Sequence, residues 1–97
     1  VQRWSRKEIV TVLGVDEPFI VELEAEELVH ADDGGMFNAR QAERIRLCWT
    51  WMRELGANLE GAAVALQLVE RLEEERRQVR EVLRRLRERV ESDGGDP

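Results

Sequence analysis

The chain has 97 residues, of which 42% are hydrophobic and 37% charged, with a formal net charge of −6. A chain of this size supports one small domain with a thin core. Its acidity argues against a general affinity for nucleic acid or anionic membrane, both of which are polyanions. The single cysteine, Cys48, excludes an internal disulfide and a thiolate zinc site and suits a reducing interior. No signal-peptide pattern is visible, and no apolar run approaches the roughly 20 residues of a bilayer span. A soluble cytoplasmic protein is expected.

Ser5-Arg6-Lys7-Glu8 has the spacing of a capping box. It opens a short helix offering Ile9, Val10, Val12 and Leu13 for burial, closed by Gly14 as a left-handed cap. Asp16 is a second N-cap, and Pro18 is tolerated in the first turn that follows. Phe19, Ile20 and Leu23 form the apolar stripe of this second helix. Two short helices around a glycine turn predict a helix-turn-helix. From Leu28 to Phe37 the signals change to an extended apolar pair, a tight Asp-Gly-Gly turn and a second apolar pair. Turn chemistry predicts a short hairpin or wing there.

Asn38 caps a third helix, with Gln41 at the capping-box position. Ala42, Ile45, Cys48, Trp49, Met52 and Leu55 recur at helical spacing, so one face is buried. Leu47 and Trp51 lie off that stripe, and Gly56 ends the helix. Asn58 caps the last helix, which extends to about Glu91. Its stretch Ala62 to Val69 is apolar on nearly every side, which predicts surrounding neighbours. Beyond it the pattern narrows to a heptad seam of Val69, Leu72, Val79, Leu83, Leu86 and Val90, interrupted by Arg76. Glu73–Arg77 and Glu81–Arg85 are predicted i,i+4 ion pairs. The expected organisation is a domain over 1–57, a long helix over 58–91 and a disordered tail over 92–97.

A helix of about 33 residues is about 50 Å long, roughly twice the width of the domain before it. Its far half would leave the seam residues in water, and burying each contributes roughly 1.5–3 kcal/mol. A homodimer through an antiparallel coiled-coil seam is the expected solution.

Helix-turn-helix, wing, a third helix ending in "RELG" and a capped fourth helix leading to a coiled coil together resemble the N-terminal module of MerR-type transcription regulators. Within that superfamily, "FNARQAERIRLCWTWMRELGANLEGAAVALQLVERLEEE" (37–75) resembles the CbpM-type chaperone modulators. "VLGVDEPFIVELEAEELV" (12–29) resembles their first helix pair more loosely. The resemblance implies a mainly α, MerR-like winged helix-turn-helix with a small β-hairpin wing and a long C-terminal dimerisation helix. It also implies a partner, the J-domain of a DnaJ/CbpA-like co-chaperone, whose second helix is strongly basic, and inhibition of that co-chaperone.

The second helix decides between partners. In DNA-binding relatives it enters the major groove with arginine, whereas here Asp16, Glu17, Glu22, Glu24, Glu26 and Glu27 supply an acidic face. Carboxylates brought to a duplex are repelled along its whole length, and opposite-sign patches steer encounter with a basic protein. The expectation is competitive masking of the J-domain. The rivals are a DNA-binding regulator using Arg3, Arg6, Lys7 and Arg40, and an assembly factor for a DnaK–DnaJ complex. His30 is alone, Cys48 lies on an apolar stripe, and no phosphate-cradling loop follows Gly34-Gly35. No enzyme, cofactor or metal site is expected. Trp4, Trp49 and Trp51 could line a groove, although their spacing favours the core.

Overall fold

The computed structural model describes residues 2–94. The fold class is as expected, mainly helical with one small antiparallel sheet. In order the elements are β1 (Arg3–Trp4), α1 (Arg6–Leu13), α2 (Glu17–Ala25), β2 (Phe37–Asn38), α3 (Ala39–Trp49), a π-helical turn (Thr50–Glu54) and α4 (Leu59–Gly94). The chain divides into two units, Val1–Leu66 and Gln67–Pro97. The first holds the core and the second is the remainder of α4.

Local signals set the helix starts. Ser5 Oγ accepts from the Glu8 amide at 3.2 Å while Glu8 Oε1 accepts from the Ser5 amide at 2.9 Å, a complete capping box. Asp16 Oδ1 accepts from the Phe19 amide at 3.0 Å, and Asn58 Oδ1 from the Gly61 amide at 2.7 Å. Between α1 and α2, Gly14 sits at φ 69°, a left-handed conformation that costs an L side chain about 1–2 kcal/mol. Its amide donates to the Val10 carbonyl at 3.1 Å, so the turn of the helix-turn-helix is fixed by backbone alone.

The core joins one face of every helix in this unit. Ile9 of α1, Phe19, Ile20 and Leu23 of α2, Val29, Phe37, Ile45 and Cys48 of α3, and Ala62 and Leu66 of α4 are buried together. Trp49 meets the Phe19 ring edge-on at 5.0 Å and 88°. Among the described residues no polar or charged side chain is buried, so burial here is apolar packing throughout. Two residues expected in this core are outside it: Val12 is 71% exposed and Leu55 72%. Leu55 follows the π-helical turn, whose extra residue per turn rotates the next side chain off the α3 stripe. Leu47 and Trp51, off that stripe, are instead half-buried against the core.

The wing differs from the local hairpin that the sequence suggests. The tight turn is present: the Asp32 amide donates to the Met36 carbonyl at 2.8 Å, and Asp32 Oδ1 accepts from the Gly34 and Met36 amides, each at 2.9 Å. The strand that leaves it, β2, pairs with β1 rather than with Leu28–Val29, in the register Arg3↔Asn38 and Trp4↔Phe37. Helix α2 ends with the Leu28 amide on the Leu23 carbonyl and the Glu27 amide on the Glu24 carbonyl, with Glu27 at φ 59°. That left-handed cap turns Val29 into the core. The backbone beyond it is claimed by α3: Arg44 Nε donates to the Leu28 carbonyl at 2.6 Å, and Gln41 Oε1 accepts from the His30 amide at 2.9 Å. Gln41 therefore closes no capping box with Asn38, whose Oδ1 accepts from the Gln41 amide at 2.9 Å.

Three expectations about α4 are corrected. Val64 and Leu68 are exposed while Ala62 and Leu66 are buried, so the apolar stretch is covered on one side and not all round. Arg77 pairs with Glu74 rather than Glu73, while Glu81–Arg85 forms as expected at 3.1 Å. The helix continues through residues expected in the tail as far as Gly94, and 95–97 lie outside the described residues.

The wing turn has a pH signature. The Met36 and Gly34 amides, with Arg3 at 2.7 Å, hold the Asp32 carboxyl below the usual carboxylate range. A depressed folded-state value means the stabilisation is complete above the unfolded value of about 3.9 and is lost as pH falls through the folded one. NMR titration is expected to place the Asp32 midpoint below that of free aspartate. The Met36 amide resonance should move with it, and Asp32→Asn should abolish the coupled shift.

Candidate functional site

In a helix-turn-helix the second helix shows its outer face to a partner. With Phe19, Ile20 and Leu23 turned inward, the 100° step between residues sets out the rest of α2 in order. Pro18, Val21 and Ala25 run down the middle of the outer face and all are exposed. Glu17 and Glu24 edge this strip on one side, and Glu22 and Glu26 edge it on the other. Val21 is 52% exposed. The result is a narrow apolar strip between two rows of carboxylates, with no cation on the helix.

The six acids expected on this face have different duties. Asp16 is engaged as the N-cap of α2. Glu24 is ion-paired with Arg6 of α1, and both side chains are about two-thirds covered. The Arg6 guanidinium also lies 5.6 Å from the Phe37 ring centroid, and the Glu24 hydrogen bond raises its pKa above the ordinary arginine value. Glu24 thus ties α2 to α1 and, through Arg6, to β2. Glu27 occupies the left-handed cap. Glu17, Glu22 and Glu26 are exposed, and they form the free acidic surface together with Glu27. Reading the sequence singled out the acids but passed over Val21. Its place opposite the buried trio was available from helical spacing alone.

Two of the four cations of the rival DNA-binding surface are ion-paired, Arg3 with Asp32 and Arg6 with Glu24. Arg40 is exposed in the first turn of α3. Lys7 is exposed on α1. Across Val1–Leu66 the sequence has twelve acidic residues against seven basic, and across Gln67–Pro97 nine against eight. The acidity belongs to the helix-turn-helix unit. It is not spread along the long helix.

The remaining candidates are placed plainly. Cys48 is buried, and burial pushes its thiol pKa up, the reverse of an activated nucleophile. His30 is exposed. Trp4, Trp49 and Trp51 are half-buried against the core. Among the described residues no group of three or more His, Cys, Asp or Glu side chains is arranged to hold a metal ion. No helix there is long and apolar enough to cross a membrane.

Residues 5–85 match the model for the MerR HTH family of regulatory proteins. The chain belongs to that family. The match takes in both helices of the helix-turn-helix, the wing, α3 and most of α4, so the acidic strip on α2 lies on a MerR-type scaffold. No curated protein and no solved structure matches the chain.

The two kinds of acid on α2 separate in stability. Glu24→Ala is expected to lower the unfolding free energy by about 1 kcal/mol, because it strands the Arg6 guanidinium, which is about two-thirds covered. Glu26→Ala should change it by less than about 0.5 kcal/mol. Urea denaturation of the two variants checks this.

Proposed function

We propose that this MerR-family chain is a non-enzymatic chaperone modulator. In this reading it binds the J-domain of a DnaJ/CbpA-like co-chaperone in the cytoplasm and blocks that protein's action on a DnaK-type chaperone. The observation that carries the reading is the outer face of α2, an apolar strip between carboxylate rows where a DNA reader would need cations. The partner implied by the sequence resemblance offers a basic helix of opposite sign. Complementary charge accelerates such an encounter and penalises nucleic acid. Val21, Pro18 and Ala25 supply the apolar contact that an acidic rim alone would lack.

The family description favours a second reading, a DNA-binding regulator. It has to work with Arg3 and Arg6 already engaged inside the fold and with an acidic second helix. A third reading, an assembly factor for a DnaK–DnaJ complex, uses the same surface without inhibition.

Calorimetric titration of a DnaJ/CbpA-like J-domain distinguishes them. Affinity should fall by about tenfold or more between low and physiological salt. The double variant Glu22→Lys/Glu26→Lys should weaken binding at least about tenfold while leaving the circular dichroism unchanged. Binding that ignores both, or tight binding to duplex DNA at low salt with none to J-domains, sinks the proposal. DnaK ATPase stimulated by the J-domain should fall on adding this chain, whereas an assembly factor would sustain it.

A further inference from the structure

Backbone alone closes the turn of the wing. The Asp32 amide donates to the Met36 carbonyl at 2.8 Å and the Gly35 amide to the Asp32 carbonyl at 2.9 Å, with Gly35 at φ 77°. Pairing of β1 with β2, in the register Arg3↔Asn38 and Trp4↔Phe37, brings Arg3 beside this turn. Phe37 is fully buried and anchors the strand that begins one residue after Met36. Three donors therefore converge from two distant parts of the chain: the Gly34 amide, the Met36 amide and the Arg3 guanidinium. All three meet one group. Asp32 Oδ1 accepts from both amides at 2.9 Å, and Oδ2 accepts from Arg3 Nη1 at 2.7 Å.

Backbone amides together with arginine are the donors that hold phosphate oxygens in proteins. Two oxygens of a phosphate are spaced nearly as those of a carboxylate, so one set of donors suits either. We infer that the wing tip is an oxyanion site that the chain fills with its own Asp32 carboxylate, which closes the site to phosphate. A tethered carboxylate has no association step to complete, so it excludes a free anion without being the stronger ligand. The Met36 and Gly34 amides and Arg3 hold its pKa below the usual carboxylate range, so it stays charged and in place throughout neutral pH. Asp33, exposed next to it, adds a second negative charge against an incoming anion.

A side chain that only capped the turn would engage the two amides and leave the guanidinium to solvent. Here the second oxygen takes up Arg3, from 29 residues away, and no donor of the set is left over. Asp32 is thus a specificity-determining residue. The carboxylates of α2 repel a phosphate backbone at a distance, and Asp32 denies it the contact at close range. The inference holds whether or not the partner of α2 is a J-domain.

Asp32→Ala vacates the site and leaves both backbone bonds of the turn. Inorganic phosphate, compared with chloride at matched ionic strength, should move the Gly34 and Met36 amide resonances of that variant along a saturating curve. Its melting temperature should rise with phosphate, as binding to the folded state requires. The unaltered chain should show neither response, and neither should Asp32→Asn, which refills the place with a neutral carbonyl. Adding Arg3→Gln to Asp32→Ala should weaken phosphate binding about tenfold. Matching shifts in the unaltered chain, no saturating shift in Asp32→Ala, or indifference to Arg3→Gln overturns the inference. Loss of the Trp4–Phe37 strand pairing in Asp32→Ala overturns it as well, because the carboxylate would then hold the turn together and fill no site.

Discussion

Helix α2 has to bury Phe19, Ile20 and Leu23, because a unit this small has few other large side chains with which to build an interior. That requirement fixes the rotation of the helix about its axis. Once the trio is turned into the core with Phe37, Ile45 and Leu66, Val21 and the three glutamates of the helix have no choice but to border or occupy the opposite side. The acidic face follows from the core. Its orientation rests on the packing of Phe19 against Trp49 and is braced by the Glu24–Arg6 pair.

Charge is used in two ways that burial separates. Where guanidinium and carboxylate are paired, as in Arg6 with Glu24 and Arg3 with Asp32, they brace elements distant in sequence and add no net charge to the surface. Where carboxylates are fully exposed, as on α2, they create a potential that reaches about a Debye length and depends on salt. The long helix adds ion pairs between its own residues, such as Arg84 with Glu81 and Glu88. A single net charge conceals this pattern, since the acidic excess sits almost wholly in the helix-turn-helix unit.

Much of this was legible in the sequence. Ser5, Asp16, Asn38 and Asn58 announced the helix starts because a cap is a contact between residues two or three apart. The periodicity of Ile45 and Cys48 and of Phe19, Ile20 and Leu23 announced the inward faces. The failures involve partners far away in the chain. Leu28–Val29 looked like half a hairpin, but Arg44 and Gln41 take the backbone groups it would have offered, from sixteen and eleven residues further on. No local pattern reports that Arg3–Trp4 supplies the second strand. By sequence Arg6 is a cation available for phosphate, but Glu24, eighteen residues away, pairs with it. Leu55 kept the stripe's spacing on paper and lost it to a π-helical turn that its sequence does not advertise.

Glu27 closes α2 in a left-handed conformation where glycine would sit without strain. Glycine there would relax the backbone and remove a carboxylate from the rim of the outer face. Thermal robustness and surface potential therefore pull in opposite directions at this position. A version of the chain engineered only for a higher melting temperature would drift towards glycine and, in doing so, blunt the field that its outer face projects.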